Sequence, residues 1–250
     1  MIHFHGTPIG GPRIDSARFL KGRHALVPFT YQQDLGIVAE VCQSFVFDNG
    51  AFSVWKRGLE LDIPGYYSWV RDWRKHPGFQ WALIPDVIDG DETTNDALIT
   101  AWEDAGLAIW GVPVWHLHES VERLERLCEK WPTVAIGSSG KWATPGTKPW
   151  WKRISEVMEA ICDDAGLPAT KLHGLRMLDP EIFSRLPLTS ADSTNAGMNS
   201  GSLSRFGQYT PPTAGQRAEV IAERIESWNS SPIWVRSTQS EIFELIGVER

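Results

Sequence analysis

The chain has 250 residues, 42% of them hydrophobic and 22% charged, with a formal net charge of −7. That length admits two small domains or one α/β barrel, the acidic balance argues against indiscriminate nucleic-acid binding, and no run of about 18 apolar residues offers a membrane span. Three distant cysteines, Cys42, Cys128 and Cys162, with an N-terminus lacking signal-peptide regions, predict a reducing cytoplasm and neither a disulfide framework nor a CxxC zinc knuckle.

Short apolar runs alternate with helical patterns along almost the whole chain. Ile2–Gly6 and Ala25–Phe29 read as the first two strands, followed by a helical segment from Gln32 to Cys42 and a third strand ending at Asp48. Tyr66–His76 is expected as a helix and Phe79–Asp86 as the fourth strand. A helix over Asp96–Gly106 stops at its glycine, and Ile109–His116 is the fifth strand. Val121, Leu124, Leu127, Cys128 and Trp131 fall on one helical face, with Ser120 as N-cap. Thr133–Gly137 follows as the sixth strand. Ile154, Val157, Met158 and Ile161 give the i, i+3, i+4, i+7 spacing of a helix ended by Gly166 and Pro168. Leu172–Met177, a short helix at Pro180–Leu186, Leu188–Asp192 and a last helix carrying Val220, Ile221, Ile225 and Trp228 complete the series.

Eight strands with intervening helices predict a single-domain (β/α)₈ TIM barrel over residues 1–250. The competing open doubly wound sheet usually has fewer strands, and no GxGxxG follows the first one. In a barrel the strand carboxyl ends share one mouth, where catalytic residues sit. Asp48, Asp86, His116, Ser138, His173 and Asp192 are all expected there. Each also has a plainer reading. Asp48 precedes Asn49-Gly50 and suits a turn cap. Asp86 and Asp192 can cap the elements that follow them. One of His116 and His118 can be a surface residue at a helix start. His173 lies inside an apolar run, where a lone histidine is more often structural. Ser138-Ser139-Gly140 is an anion nest or a turn. Their common position at strand ends is the stronger signal.

Charge along the chain is uneven. From Lys130 to Ser155 there is no acid, while Lys130, Lys141, Lys148, Lys152 and Arg153 alternate with Trp142, Trp150 and Trp151. A second acid-free stretch, Ser193 to Ala218, carries Arg205 and Arg217. Basic residues interleaved with aromatics suit a surface that tracks a nucleic-acid backbone and stacks bases. The plainer alternative is a solvated face over buried tryptophans.

Taken in order, the strand-end motifs resemble those of the tRNA-guanine transglycosylase superfamily. Phe47-Asp48-Asn49-Gly50-Ala51-Phe52 is similar to its Asp-Ser-Gly-Gly-Tyr/Phe motif, and Ile84-Pro85-Asp86 falls where that family has a base-recognising aspartate. Gly111–His116 is similar to a Gly-Ile-Val-Gln-Gly-Gly segment, and Ala135-Ile136-Gly137-Ser138-Ser139 to an Ala-Ile-Gly-Gly-Leu loop. Leu172-His173-Gly174-Leu175 resembles Leu-Met-Gly-Val-Gly, and Asp192 lies where Met-Phe-Asp-Cys-Val carries a nucleophile. The match runs from about residue 25 to 197 with order preserved. Two departures stand out. The family's Cys-x-Cys-x-x-Cys…His zinc site is absent, and Val114-Trp115-His116 replaces the Gln-Gly-Gly base contact. A zinc-less chain with Phe4-His5-Gly6-Thr7-Pro8 and Asp-Asn-Gly-Ala-Phe looks most like the phage and bacterial deazapurine DNA-modification branch.

The resemblance implies exchange of guanine in DNA for a free 7-deazaguanine base, without a cofactor. Asp192 is implied as nucleophile and Asp48 as general acid/base. Asp86 is implied on the guanine edge, Phe52 and His173 sandwiching the ring, and Gly137, Ser138 and His116 lining the base site. Lys141, Lys148, Lys152, Arg153 and Arg205 are the candidates for gripping the polynucleotide. Three alternatives stay open. One is a transglycosylase acting on tRNA. Another is an amidohydrolase-type metal hydrolase using His3, His5, His116 or His118, His173 and Asp192, although no lysine stands at the fourth strand end. The last is a barrel that binds nucleic acid without chemistry.

Overall fold

The computed structural model describes residues 1–9, 11–201 and 206–236. Every expected strand forms. They are β1 (Ile2–Gly6), β2 (His24–Pro28), β3 (Ser44–Asp48), β4 (Phe79–Leu83), β5 (Gly111–Val112), β6 (Val114–His116), β7 (Thr133–Gly137), β8 (Lys171–Gly174) and β9 (Ser190–Ser193). The expected fifth strand is divided at Pro113, which has no N–H to give to a ladder. β5 pairs with β4 and β6 with β7, while the Pro113 carbonyl accepts from Ala135 N–H at 2.9 Å. One residue thus joins the two ends of the sheet order β5-β4-β3-β2-β1-β9-β8-β7-β6, and the strands, all parallel, form a (β/α)₈ barrel.

Helices connect the strands and sheathe them: α1 (Arg13–Leu20), α2 (Leu35–Val41), α3 (Ala51–Arg57), α4 (Ile63–Trp73), α5 (Glu92–Asp104), α6 (Val121–Lys130), α7 (Lys148–Ile161), α8 (Pro180–Phe183), α9 (Asn195–Asn199) and α10 (Ala214–Glu226). The Ser120 side chain caps α6 by accepting from Arg123 N–H, as its sequence predicts. α7 buries Trp150, Trp151, Ile154, Val157, Met158 and Ile161 on one face, and each such side chain stabilises the shell by about 1.5–3 kcal/mol. α1, α3 and α9 were not expected. α1 buries Asp15 and Ser16 beside Phe19 and Leu20, α3 buries only Ala51, and α9 has five residues. None therefore carries a 3.6-residue apolar stripe. Among the described residues no helix is long and apolar enough to cross a membrane.

Strand periodicity decides what enters the barrel's interior. Phe4, Leu26 and Val46 form one small cluster there with Trp81, and Leu83, Val112, Val114 and Ala135 form another. Two residues further along the same strands stand Asp48, His116 and Gly137, on the carboxyl-end side. In β9, Ser190 and Asp192 share the inward parity, with Phe4 beside Asp192 in register. The opposite parity sends His3 and His5 outward to the helical layer. His3 Nε2 donates to the Trp228 carbonyl at 3.0 Å, and His5 Nε2 lies 2.8 Å from Glu226 Oε1. Burial alone would raise the Glu226 carboxyl, but the His5 hydrogen bond and the Arg23 charge hold it down at about 2. These histidines tie α10 to the barrel, which corrects the expectation that they join a metal site at its mouth.

Candidate active site

The mouth holds a pocket of about 520 Å³, counting solvent at its opening. Its walls include Asp48, Phe52, Asp86, His116, Gly137, Ser138 and Asp192, so seven residues singled out from the sequence meet in one place. Leu26, Leu83, Ile88 and Leu175 supply apolar surface. Three carboxylates around an apolar slot suit a planar ligand with polar edges.

Asp48 ends β3, and its Oδ1 accepts Gly50 N–H at 2.9 Å. Burial pushes its carboxyl up from 3.8 to about 7; the Gly50 hydrogen bond opposes this, and the charges of Asp192 and Asp86 reinforce it. Asp48 is therefore a group that can hold a proton near neutrality and release it. Gly50 makes the turn into α3 with φ of 83°, and a Cβ there would stand 2.7 Å from Thr30 Cγ2. Gly50→Ala is expected to lower unfolding stability by about 2–4 kcal/mol, from left-handed strain plus that clash. Urea denaturation checks this, and a change under about 0.5 kcal/mol would contradict it.

Asn49, between them, was not singled out from sequence. Its Nδ2 donates to the Ile84 carbonyl and to Asp86 Oδ1, both at 2.8 Å, and its Oδ1 accepts Ala51 N–H at 2.7 Å. His116 Nε2 meets the other oxygen, Asp86 Oδ2, at 2.7 Å. A carboxylate offers about four acceptor sites, so Asp86 is fixed from behind with capacity left for a ligand. The Asp86 contact assigns the His116 proton to Nε2. Its buried Nδ1 has no partner among the described residues. That nitrogen would lie 2.8 Å from any Cβ on Gly137, which is why β7 ends in glycine there. Behind His116, the Glu119 carboxylate accepts His116 N–H, Asn95 Nδ2 and Arg123 Nη1, so the carboxyl end of this strand is rigid.

Asp192 accepts the backbone N–H of Arg176 at 3.0 Å through Oδ1, and the same oxygen lies 3.4 Å from His173 Nε2. His173 departs from the expectation that it stacks on a base. It pairs in register with Ser190, one layer below Asp192, and is fully buried. Its Nδ1 and Ser190 Oγ are 2.8 Å apart, and Phe4 and Trp81 meet its ring edge-on. It supports Asp192 from beneath the pocket floor. Arg176 is a second polar site residue that sequence reasoning missed. It is the single non-glycine residue with positive φ (59°) among the described residues, and its guanidinium lies 4.7 Å from the centre of the Phe52 ring.

The basic stretch behaves differently from expectation. Ser138 Oγ accepts from Trp150 Nε1 at 2.9 Å, and Trp150 and Trp151 are core residues of α7. Arg153 is folded inward, donating to the carbonyls of Leu117 and Glu119 and pairing with Glu156. It brackets α7 to the preceding loop, which corrects its assignment as a backbone grip. Lys141 lies over the Trp142 ring at 4.3 Å, and Lys152 is exposed on α7. Lys148 opens α7. Arg205 lies outside the described residues. The free cysteines are inert toward ionisation: burial pushes Cys42 and Cys128 up to about 12 and Cys162 to about 11.

No family model matches the chain, and no curated protein matches it. Among solved structures it is similar to a protein from Coccidioides immitis assigned as a fructose-1,6-biphosphate aldolase, with a TM-score of 0.54, 13% identity, and coverage of 91% of this chain and 90% of the other. At that identity the likeness is one of fold, and it agrees with the barrel described above.

Proposed function

We propose that this protein is a base-exchange transglycosylase that replaces guanine in DNA with a 7-deazaguanine. The observation that carries the reading is the meeting of Asp48 and Asp192 in one partly enclosed pocket, with the Asp48 proton held to near pH 7. Retaining glycosyl transfer needs a carboxylate nucleophile and a second carboxyl that serves first as acid and then as base. Asp48, whose raised carboxyl holds its proton to near neutrality, suits the second role and leaves Asp192 the first.

In the first half-reaction an Asp192 oxygen attacks C1′ and the bond from C1′ to the guanine nitrogen breaks. Its electron pair leaves with the base, which takes the Asp48 proton. In the second, the incoming deazaguanine gives its ring proton to the Asp48 carboxylate, and its nitrogen attacks C1′. The ester bond to Asp192 then breaks and the carboxylate is restored. Asp86, held by Asn49 and His116, accepts from the guanine amino and ring N–H groups. Phe52 offers the ring a stacking face. Of the other readings, the metal hydrolase is disfavoured because His3 and His5 serve the helical layer.

The test is transfer of a labelled 7-deazaguanine or guanine into DNA, run beside tRNA. Incorporation into DNA supports the reading, incorporation into tRNA alone moves it to the tRNA branch, and no incorporation into either overturns it. Because Asp48 must be protonated in the free enzyme, kcat/KM is expected to fall tenfold per pH unit above about pH 7. A profile flat to pH 9 would remove Asp48 as the acid.

A further inference from the structure

The rim of the pocket carries an aromatic surface of which the chemistry above uses only the Phe52 face. Phe52 and Trp55 lie three residues apart on α3, so they share a helix face. They are 40% and 47% exposed, with ring centroids 5.8 Å apart. Lone surface aromatics need no explanation. This pair differs because Phe52 is also a wall of the pocket, so the apolar surface runs unbroken from the site to the outside. The Arg176 guanidinium also lies over the Phe52 ring, 4.7 Å from its centre. Arg176 is itself a pocket wall, in the loop after the seventh barrel strand, a region where barrels frequently bind phosphate. Its side chain has no carboxylate partner among the described residues, and neither do Lys56 and Arg57 at the end of α3.

We propose that Trp55 and Arg176 form the subsite for the nucleotide next to the exchanged one. Its base stacks on Trp55 and its phosphate is held by Arg176. The occupant is a single-stranded or locally opened polynucleotide. A base inside a duplex cannot enter the pocket, so the target must leave the stack and its neighbour then lies at the mouth. There it meets a cation and an aromatic face, the two components of sequence-tolerant single-strand binding. The proposal rests on the base-exchange reading for which nucleotide occupies the pocket, but the subsite is measurable without any exchange.

The experiment is fluorescence anisotropy of labelled nine-nucleotide DNAs with one central guanine, using the full chain. An abasic spacer on one side of the guanine is expected to weaken binding about tenfold, matching the loss of one stacked base. Trp55→Ala should weaken the intact oligonucleotide by a similar factor and become indifferent to the spacer, and Trp55→Phe should restore both. Arg176→Ala should lower the slope of log Kd against log salt by about one and ignore a methylphosphonate at that junction, while Arg176→Lys keeps the slope. An RNA oligonucleotide of the same sequence separates the two polynucleotides. Failure to bind any oligonucleotide, a Trp55→Ala variant that still senses the spacer, or an unchanged salt slope in Arg176→Ala overturns the subsite. If these responses appear and no base is exchanged, the subsite stands and the transglycosylase chemistry falls. Exchange without the responses has the opposite meaning.

Discussion

Asp192→Ala is expected to lower base exchange by a factor of about 10⁴ or more, since a missing nucleophile removes the covalent step itself. The variant should still bind an oligonucleotide, because the side chains of Phe52, Trp55 and Arg176 are unchanged. Alanine also releases the Arg176 N–H from its acceptor, so Asp192→Asn is the cleaner partner experiment. Its amide oxygen keeps that hydrogen bond and is no nucleophile. Both variants should exchange labelled base at the same residual rate, and neither should form the protein–DNA adduct that denaturing gels and mass spectrometry detect in the parental chain. Exchange by Asp192→Ala at the parental rate would sink the assignment. A slow asparagine variant beside a far slower alanine one would instead point to the Arg176 loop as the sensitive element.

The fold was legible in the sequence because a barrel repeats one simple instruction, a short apolar run followed by a helical stripe. The runs from Ile2 and Thr133 and the face through Ile154, Val157, Met158 and Ile161 all became the expected elements. α1 and α3 were hidden because their faces are mostly polar or exposed, so periodicity had nothing to report. The site was legible to the extent that it depends on strand parity. Asp48, His116 and Gly137 follow inward-facing apolar residues by two, Asp192 follows the inward Ser190 by two, and so all four arrive at the mouth together. The same rule, applied in register, places His173 a layer too low to touch a ligand, and pairing between β8 and β9 cannot be counted from one strand alone. Composition misled at Arg153: a cation among tryptophans resembles a nucleic-acid surface until the fold turns it toward the Leu117 and Glu119 carbonyls. Arg176 was missed for another reason. Nothing local in this sequence announces a positive φ at a non-glycine residue there.

Asp48→Asn separates what the carboxyl does for chemistry from what it costs the fold. Its pKa is about 7 in the folded chain against an ordinary 3.8, so between these values the native state binds more protons than the unfolded one. Stability therefore falls as pH rises through that window, and the full penalty is present above about pH 7. Asparagine cannot ionise, and it keeps an oxygen for the Gly50 N–H. The variant should match the parental chain near pH 4 and exceed it at pH 8 by about 2–3 kcal/mol, below the roughly 4 kcal/mol that three pKa units imply because the pocket admits solvent. Exchange should drop by about 10³-fold, and the alkaline limb near pH 7 should vanish from whatever activity remains. Thermal unfolding at the two pH values, beside exchange rates across the range, decides it. An equal stability change at pH 4 and pH 8 would mean that burial of the Asp48 charge is not what raises its affinity for the proton. A variant that keeps both its rate and its alkaline limb would mean that the proton delivered to the departing base comes from elsewhere.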